Sequence, residues 1–190
     1  MKNLILAVPC CFFLLQSCKK EDSQKDHVEL IKENATTTKA SYKNGKLVSS
    51  EVYDKSGQLD SKYLYQNGTV IKIYQYFPDQ KVSSYSYLTK APNHYITTIY
   101  YKNGKTASEG EGDYYKDQNL YLRRGEWIFY SKSGEPYSVY GFMHDGKKQY
   151  IKREIIFDTI KKKTLKDVNF DPPFLYEKET VKSLKPVNSK

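Results

Sequence analysis

The sequence predicts an all-β chain in which antiparallel β-hairpins stack into one elongated, curved sheet. Three observations predict it. Turn signals recur at a near-constant interval: Asn44-Gly45, Ser56-Gly57, Asn67-Gly68 and Asp79-Gln80 place their second residues 12, 11 and 12 positions apart. That interval suits a strand of about nine extended residues, roughly 30 Å, and a tight reversal. Between turns the side chains alternate with period two, so that Leu59, Ser61, Tyr63 and Tyr65 share one face and Asp60, Lys62 and Leu64 the other. An aromatic residue also precedes turn after turn, at Tyr42, Tyr53, Tyr65, Phe77, Tyr101, Tyr130 and Phe142.

In chain order, residues 1–17 read as an export signal. Lys2 supplies the positive end, and the apolar run from Leu4 to Leu15 is short of the roughly 20 residues a membrane span needs. Leu15-Gln16-Ser17-Cys18 resembles the bacterial lipoprotein signal. The resemblance implies cleavage before Cys18, lipidation of Cys18, and a lipid-anchored location in the bacterial cell envelope, at the outer membrane or cell surface. All 3 cysteines stand at or before residue 18, so the processed chain has no internal disulfide, thiolate metal site or cysteine nucleophile.

Residues 18–40 read as the lipidated cysteine and a flexible tether. Lys19 to Asp26 is nearly all charged or polar and has too little apolar surface to order itself. A short helix fits Asp26 to Lys32, with Asp26 as its cap and Val28, Leu30 and Ile31 apolar. Lys20-Glu21-Asp22 also resembles a surface-export tag of some Gram-negative lipoproteins.

Residues 41–157 are the expected repeat body. Asn103-Gly104 continues the turn series, with Ala91-Pro92-Asn93 as the intermediate turn; an Asn-Gly hairpin turn holds both residues at positive φ. From Gly125 to Lys148, two aromatic runs are closed by Gly134 and Gly146. Tyr42-Lys43-Asn44-Gly45-Lys46, Tyr101-Lys102-Asn103-Gly104-Lys105 and Gly125-x-Trp127-x-x-Tyr130 resemble the bacterial variant of the MORN repeat. The resemblance covers roughly residues 41–150 and implies hairpins stacked into a curved sheet. Exported proteins of this kind are often labelled antitoxin or immunity components, but the repeat itself specifies no activity.

Residues 158–190 are the expected basic capping segment and tail. Pro172-Pro173 excludes a central strand, Phe170, Phe174, Leu175 and Tyr176 are expected to cover the open end of the sheet, and order is expected to fade after Lys178.

Only 38% of the chain is hydrophobic, so the core should be thin, and 19 tyrosines suit a half-buried pleated surface. The net charge of +9 lies mostly at turns and in the tail, which points to solubility or an acidic partner rather than nucleic acid. Glu109, Glu111 and Asp113 share one strand face and are read as a solvated row; no metal and no cofactor are expected. His27, His94 and His144 are far apart, and His144, beside Asp145-Gly146, is expected to be exposed. No nucleophile elbow, zinc helix or phosphate loop occurs in the sequence, so the expected function is non-catalytic. The expectation is an anchored sheet that binds a protein or glycan, or, as an alternative, an immunity protein that neutralises a toxin. Trp127, Tyr130 and Tyr140 are the candidate partner-binding residues.

Overall fold

The computed structural model describes residues 25–33 and 35–176; the expected signal peptide, Cys18 and the tail around Lys178 lie outside the described residues. The described residues form twelve strands: β1 (His27–Glu33), β2 (Thr36–Lys43), β3 (Lys46–Tyr53), β4 (Leu59–Gln66), β5 (Thr69–Tyr76), β6 (Val82–Lys90), β7 (His94–Tyr100), β8 (Thr106–Tyr115), β9 (Leu120–Tyr130), β10 (Pro136–His144), β11 (Gln149–Asp158) and β12 (Lys163–Leu175). All pair antiparallel in one open sheet whose order is the order of the chain. At about 4.8 Å per strand, the sheet measures roughly 50 Å along its contour. Among the described residues, no helix is long and apolar enough to cross a membrane.

Six of the hairpin turns are of two kinds. Asn44-Gly45 and Asn67-Gly68 have both residues at positive φ (49° and 70°, 50° and 77°), the two-residue turn expected of Asn-Gly. At the opposite end, four connections share a longer geometry. Asp54, Phe77, Tyr101 and Ser131 donate their backbone N–H groups to the carbonyls of Gln58, Lys81, Lys105 and Glu135. Their own carbonyls accept from Gly57, Gln80, Gly104 and Gly134.

Asn103-Gly104 is therefore not the two-residue turn its sequence suggests. Only Gly104 is left-handed (φ 82°), while the Asn103 side-chain oxygen accepts from the Lys105 N–H at 3.0 Å. Gln80 holds the same position without being a glycine, at φ 64°. Gln80→Gly is expected to stabilise the fold by about 1 kcal/mol and Gly104→Val to destabilise it by more than about 1 kcal/mol. Urea midpoints unchanged in both variants would show that this turn carries no conformational cost.

The structure moves both boundaries of the expected repeat body. The tether reading of 18–40, with its short helix, gives way to β1 and β2 from His27 onward. Thr36, Thr37 and Thr38 are β-branched and favour extended backbone, and β1 pairs along them from Glu33↔Thr36 to His27↔Tyr42. At the other end, β12 occupies the first half of the expected tail. It is an edge strand, and its pairing jumps from Arg153↔Asn169 to Ile151↔Phe174, so Pro172-Pro173 falls where no ladder bond is required. Phe170, Phe174 and Tyr176 pack on the Trp127, Tyr140, Phe142 and Ile151 cluster instead of covering the edge.

The concave face of the sheet interleaves serine, threonine and glycine with larger residues. One cross-strand row runs Ser50, Tyr63, Ile73, Ser86, Thr97 and Gly110; the next runs Val52, Ser61, Gln75, Ser84, Ile99 and Ser108. Ser50, Ser61, Ser84, Ser86, Thr97 and Ser108 are buried. Small residues let this face become concave. Tyr63 of β4 and Tyr114 of β8 stack with centroids 6.4 Å apart, although four strand spacings would set them about 19 Å apart in a flat sheet. The convex face carries the larger polar groups, including a Lys39–Glu51–Lys62 ion ladder in which the Lys62 hydrogen bond holds the Glu51 carboxyl below its usual range.

Candidate functional site

The curl encloses a trough of about 1030 Å³ on the concave face. Its wall is built from the small-residue rows of β4 to β7, where Ser61, Ser84, Ser86 and Thr97 point inward, and from Tyr121 and Arg123 of β9. The hydroxyls are linked: Ser86 and Thr97 lie 2.6 Å apart, and Thr97 and Tyr121 lie 2.7 Å apart. Ser84 donates to the Gln75 side-chain oxygen at 2.8 Å. Burial pushes the Tyr121 phenol up to about 12, partly offset by the Thr97 hydrogen bond and the Arg123 charge, so it remains a neutral hydroxyl. Because every strand from β2 to β11 is paired on both sides, its ladder groups are largely occupied and side chains carry most of the trough's recognition.

Trp127 forms the foundation at one end. It is fully buried and lies over Gly110, where a Cβ would meet its ring atoms at 2.5 Å. Three residues of β9, Gly125 to Trp127, oppose Gly110 alone, between the pairs Glu109↔Ile128 and Glu111↔Arg124. The indole N–H donates to the Glu111 carbonyl at 2.7 Å. Gly112 gives Tyr121 the same clearance.

Above the indole sits the Arg123 guanidinium, 4.5 Å from the Trp127 ring and 5.4, 5.6 and 5.7 Å from those of Phe142, Tyr176 and Phe129. Arg123 Nη1 donates to the Tyr176 hydroxyl at 3.2 Å, and among the described residues no carboxylate lies within ion-pair distance.

The three residues singled out from the sequence do not form one surface. Trp127 and Tyr140 belong to the concave core cluster. The Tyr140 hydroxyl donates to Glu154 at 3.1 Å, and burial raises its pKa. Tyr130 lies on the convex side with Ile128, half-buried, and donates to Glu109 at 2.6 Å; that bond raises the phenol to about 12. Alternation within β9 puts Trp127 and Phe129 on one face and Ile128 and Tyr130 on the other, with Phe129 and Tyr140 in edge contact at 5.3 Å. Sequence reasoning missed Arg123 and the serine rows. The signal for the rows was present, since Ser84, Ser86 and the neighbouring tyrosines alternate, but alternation alone does not say which face is concave.

His144 is not exposed. Its Nε2 lies 3.0 Å from Asp113 Oδ2, and His94 Nδ1 lies 3.0 Å from Asp113 Oδ1. The turn brings His144 back over β8, where Asp113 is buried and Arg124 adds a contact at 3.5 Å. Glu109, Glu111 and Asp113 do share the convex face as expected, but each has a partner: Tyr130 on Glu109, His94 on Glu111, and both histidines on Asp113. Among the described residues, no group of three or more ligating side chains is arranged to hold a metal ion.

No family model matches the chain, and no curated protein does. Among solved structures, it is similar to part of a glycosylation-associated protein complex from Streptococcus agalactiae, at 17% identity and TM-score 0.37 over 55% of this chain. The chain spans about a fifth of that protein's length, since 19% of it is covered. It is also similar to a DUF3836 family protein from Parabacteroides distasonis, at 12% identity and TM-score 0.17 over 83% of this chain and 98% of that one. A Bacteroides fragilis protein of unknown function is similar at 13% identity and TM-score 0.18, over 77% of this chain and 92% of that one. At these scores the likenesses carry no argument about fold or activity.

Proposed function

We propose that this chain is a non-catalytic, lipid-anchored protein of the bacterial envelope that binds a glycan in the trough of its curled sheet. The observation that carries the reading is the trough itself, about 1030 Å³ and lined by linked hydroxyls, tyrosine and one guanidinium. That size is at the top of the range for small-ligand sites, and a concave slot of this kind admits an oligosaccharide more readily than the surface of a folded protein. Hydroxyl-rich walls over aromatic rings suit sugar hydroxyls and ring faces. Anchoring rests on Leu15-Gln16-Ser17-Cys18.

Two measurements test the two halves separately. Cys18→Ala is expected to abolish incorporation of labelled fatty acid and leave an unprocessed precursor; continued labelling would overturn the anchoring. Ser84→Tyr and Ser86→Tyr fill the trough and are expected to remove binding in a panel of envelope oligosaccharides. Binding that survives both substitutions in folded protein would place the ligand elsewhere.

A further inference from the structure

The trough's charge is one-sided. Among the described residues, its lining contains Arg123, Lys147 and Lys148 against the single carboxylate of Asp60. Arg123 is the most constrained of the cations. Four aromatic rings surround the guanidinium within 6 Å, which takes much of its planar surface out of water. A stacked guanidinium still needs acceptors in its own plane, and among the described residues Arg123 has one, the Tyr176 hydroxyl on Nη1. Its remaining N–H donors have no protein acceptor there. Other arginines of the sheet are satisfied differently: Arg153 makes a two-pronged pair with Asp167 at 3.0 and 2.9 Å and also reaches Glu126. Arg123 has the same fork and, among the described residues, no acid to fill it.

We propose that Arg123 is the anchor for a carboxylate-bearing saccharide, a uronic-acid type glycan. The inference rests on the trough being the binding site. A planar two-oxygen acceptor matches the free edge of the guanidinium, and the rings beneath it fix the direction from which the carboxylate arrives. The neighbouring Thr97–Tyr121 hydroxyl pair, 2.7 Å apart, then meets the hydroxyls of the same sugar, while Ser84 and Ser86 meet the next along the trough. An acidic peptide would satisfy Arg123 equally. It would bring main-chain amides to a wall whose strands are already paired, and for that reason the saccharide is favoured.

The test uses the full-length chain and three probes: an oligogalacturonate tetramer, a neutral galactose tetramer and tetraglutamate. Trp127 is the single tryptophan and lies under Arg123, so its emission reports occupancy, and calorimetry gives the affinity. The galacturonate is expected to bind at least tenfold more tightly than the neutral tetramer. Arg123→Gln should remove that difference, with the acidic tetramer losing at least tenfold in affinity. Arg123→Lys, which keeps the charge but not the fork, should recover only part of it. If Arg123→Gln does not fold, the matter is decided by Arg123→Lys: discrimination reduced below the wild-type ratio at an unchanged melting point supports the assignment, and an unreduced ratio overturns it. Equal affinity for acidic and neutral tetramers overturns the Arg123 assignment and leaves the trough reading standing. No binding of any probe overturns both, and preference for tetraglutamate overturns the saccharide class.

Discussion

Gly110→Ala is expected to cost about 3 kcal/mol of folding stability, at the upper end for overpacking a closed site. The new methyl would sit 2.5 to 2.6 Å from three atoms of the Trp127 indole. The indole cannot tilt away freely, because it is fully buried, edge-packed on Phe142 and Tyr121, and tied to the Glu111 carbonyl at 2.7 Å. Urea unfolding followed by circular dichroism and Trp127 emission measures the loss. A cost below about 1 kcal/mol would mean that the ring and the glycine are not in contact in solution. Gly57→Ala is a useful contrast, because that glycine has nothing within 4 Å and any cost there comes from its φ of 79° alone.

Trp127→Ala is expected to cost about 3–5 kcal/mol, and Tyr130→Ala about 1 kcal/mol or less. The two residues are three apart and both aromatic, yet the sheet separates them. Trp127 is under the concave cluster with Tyr140, Phe142 and Ile151, while Tyr130 leans along the convex surface onto Glu109. Removing Trp127 also removes the support beneath Arg123. The same variant should therefore weaken ligand binding in whatever fraction stays folded. The two largest effects are coupled, which gives a sharper check. In the Trp127→Ala background, Gly110→Ala should cost less than about 1 kcal/mol, because the clash has gone with the ring. Additive costs in the double variant would show that the glycine matters for the backbone and not for the indole.

Why some of this was legible in the sequence, and some was not, follows from the range of the interactions. Asn44-Gly45 and Asn67-Gly68 are local: two residues decide the turn, and the structure has them at the expected dihedrals. The alternation of Ser61, Tyr63 and Tyr65 is local too, and those residues do share a face. Asn103-Gly104 carries the same dipeptide as the two-residue turns but sits in a longer loop, because the register of β7 and β8 closes on Tyr101 and Lys105.

β1 was hidden because Val28, Leu30 and Ile31 fit a short helix from Asp26 to Lys32 equally well; its order comes from β2, not from its own composition. The site was less legible still. Arg123 meets Tyr176, 53 residues away, and His144 meets Asp113, 31 residues away. Neither pair has a spacing rule, and both depend on how far the sheet curls. The curl depends in turn on serines, whose usual reading on a strand is a solvent-facing position.

The meander order also has a kinetic consequence. Every strand pairs with the strand made just before it, so no segment waits for a distant partner in order to form its ladder. All-β folds are slow chiefly because long loops must close before their contacts form. That obstacle is absent from this ladder, and successive hairpins can zip as the chain emerges. What arrives late is the inner lining. Tyr63 cannot reach Tyr114 until four further strands exist, and Tyr176 reaches Phe142 only after the last of the described strands is in place. A newly paired sheet would thus be formed in its hydrogen bonds before it is closed in its aromatics, and the trough would be the last part of the molecule to take shape.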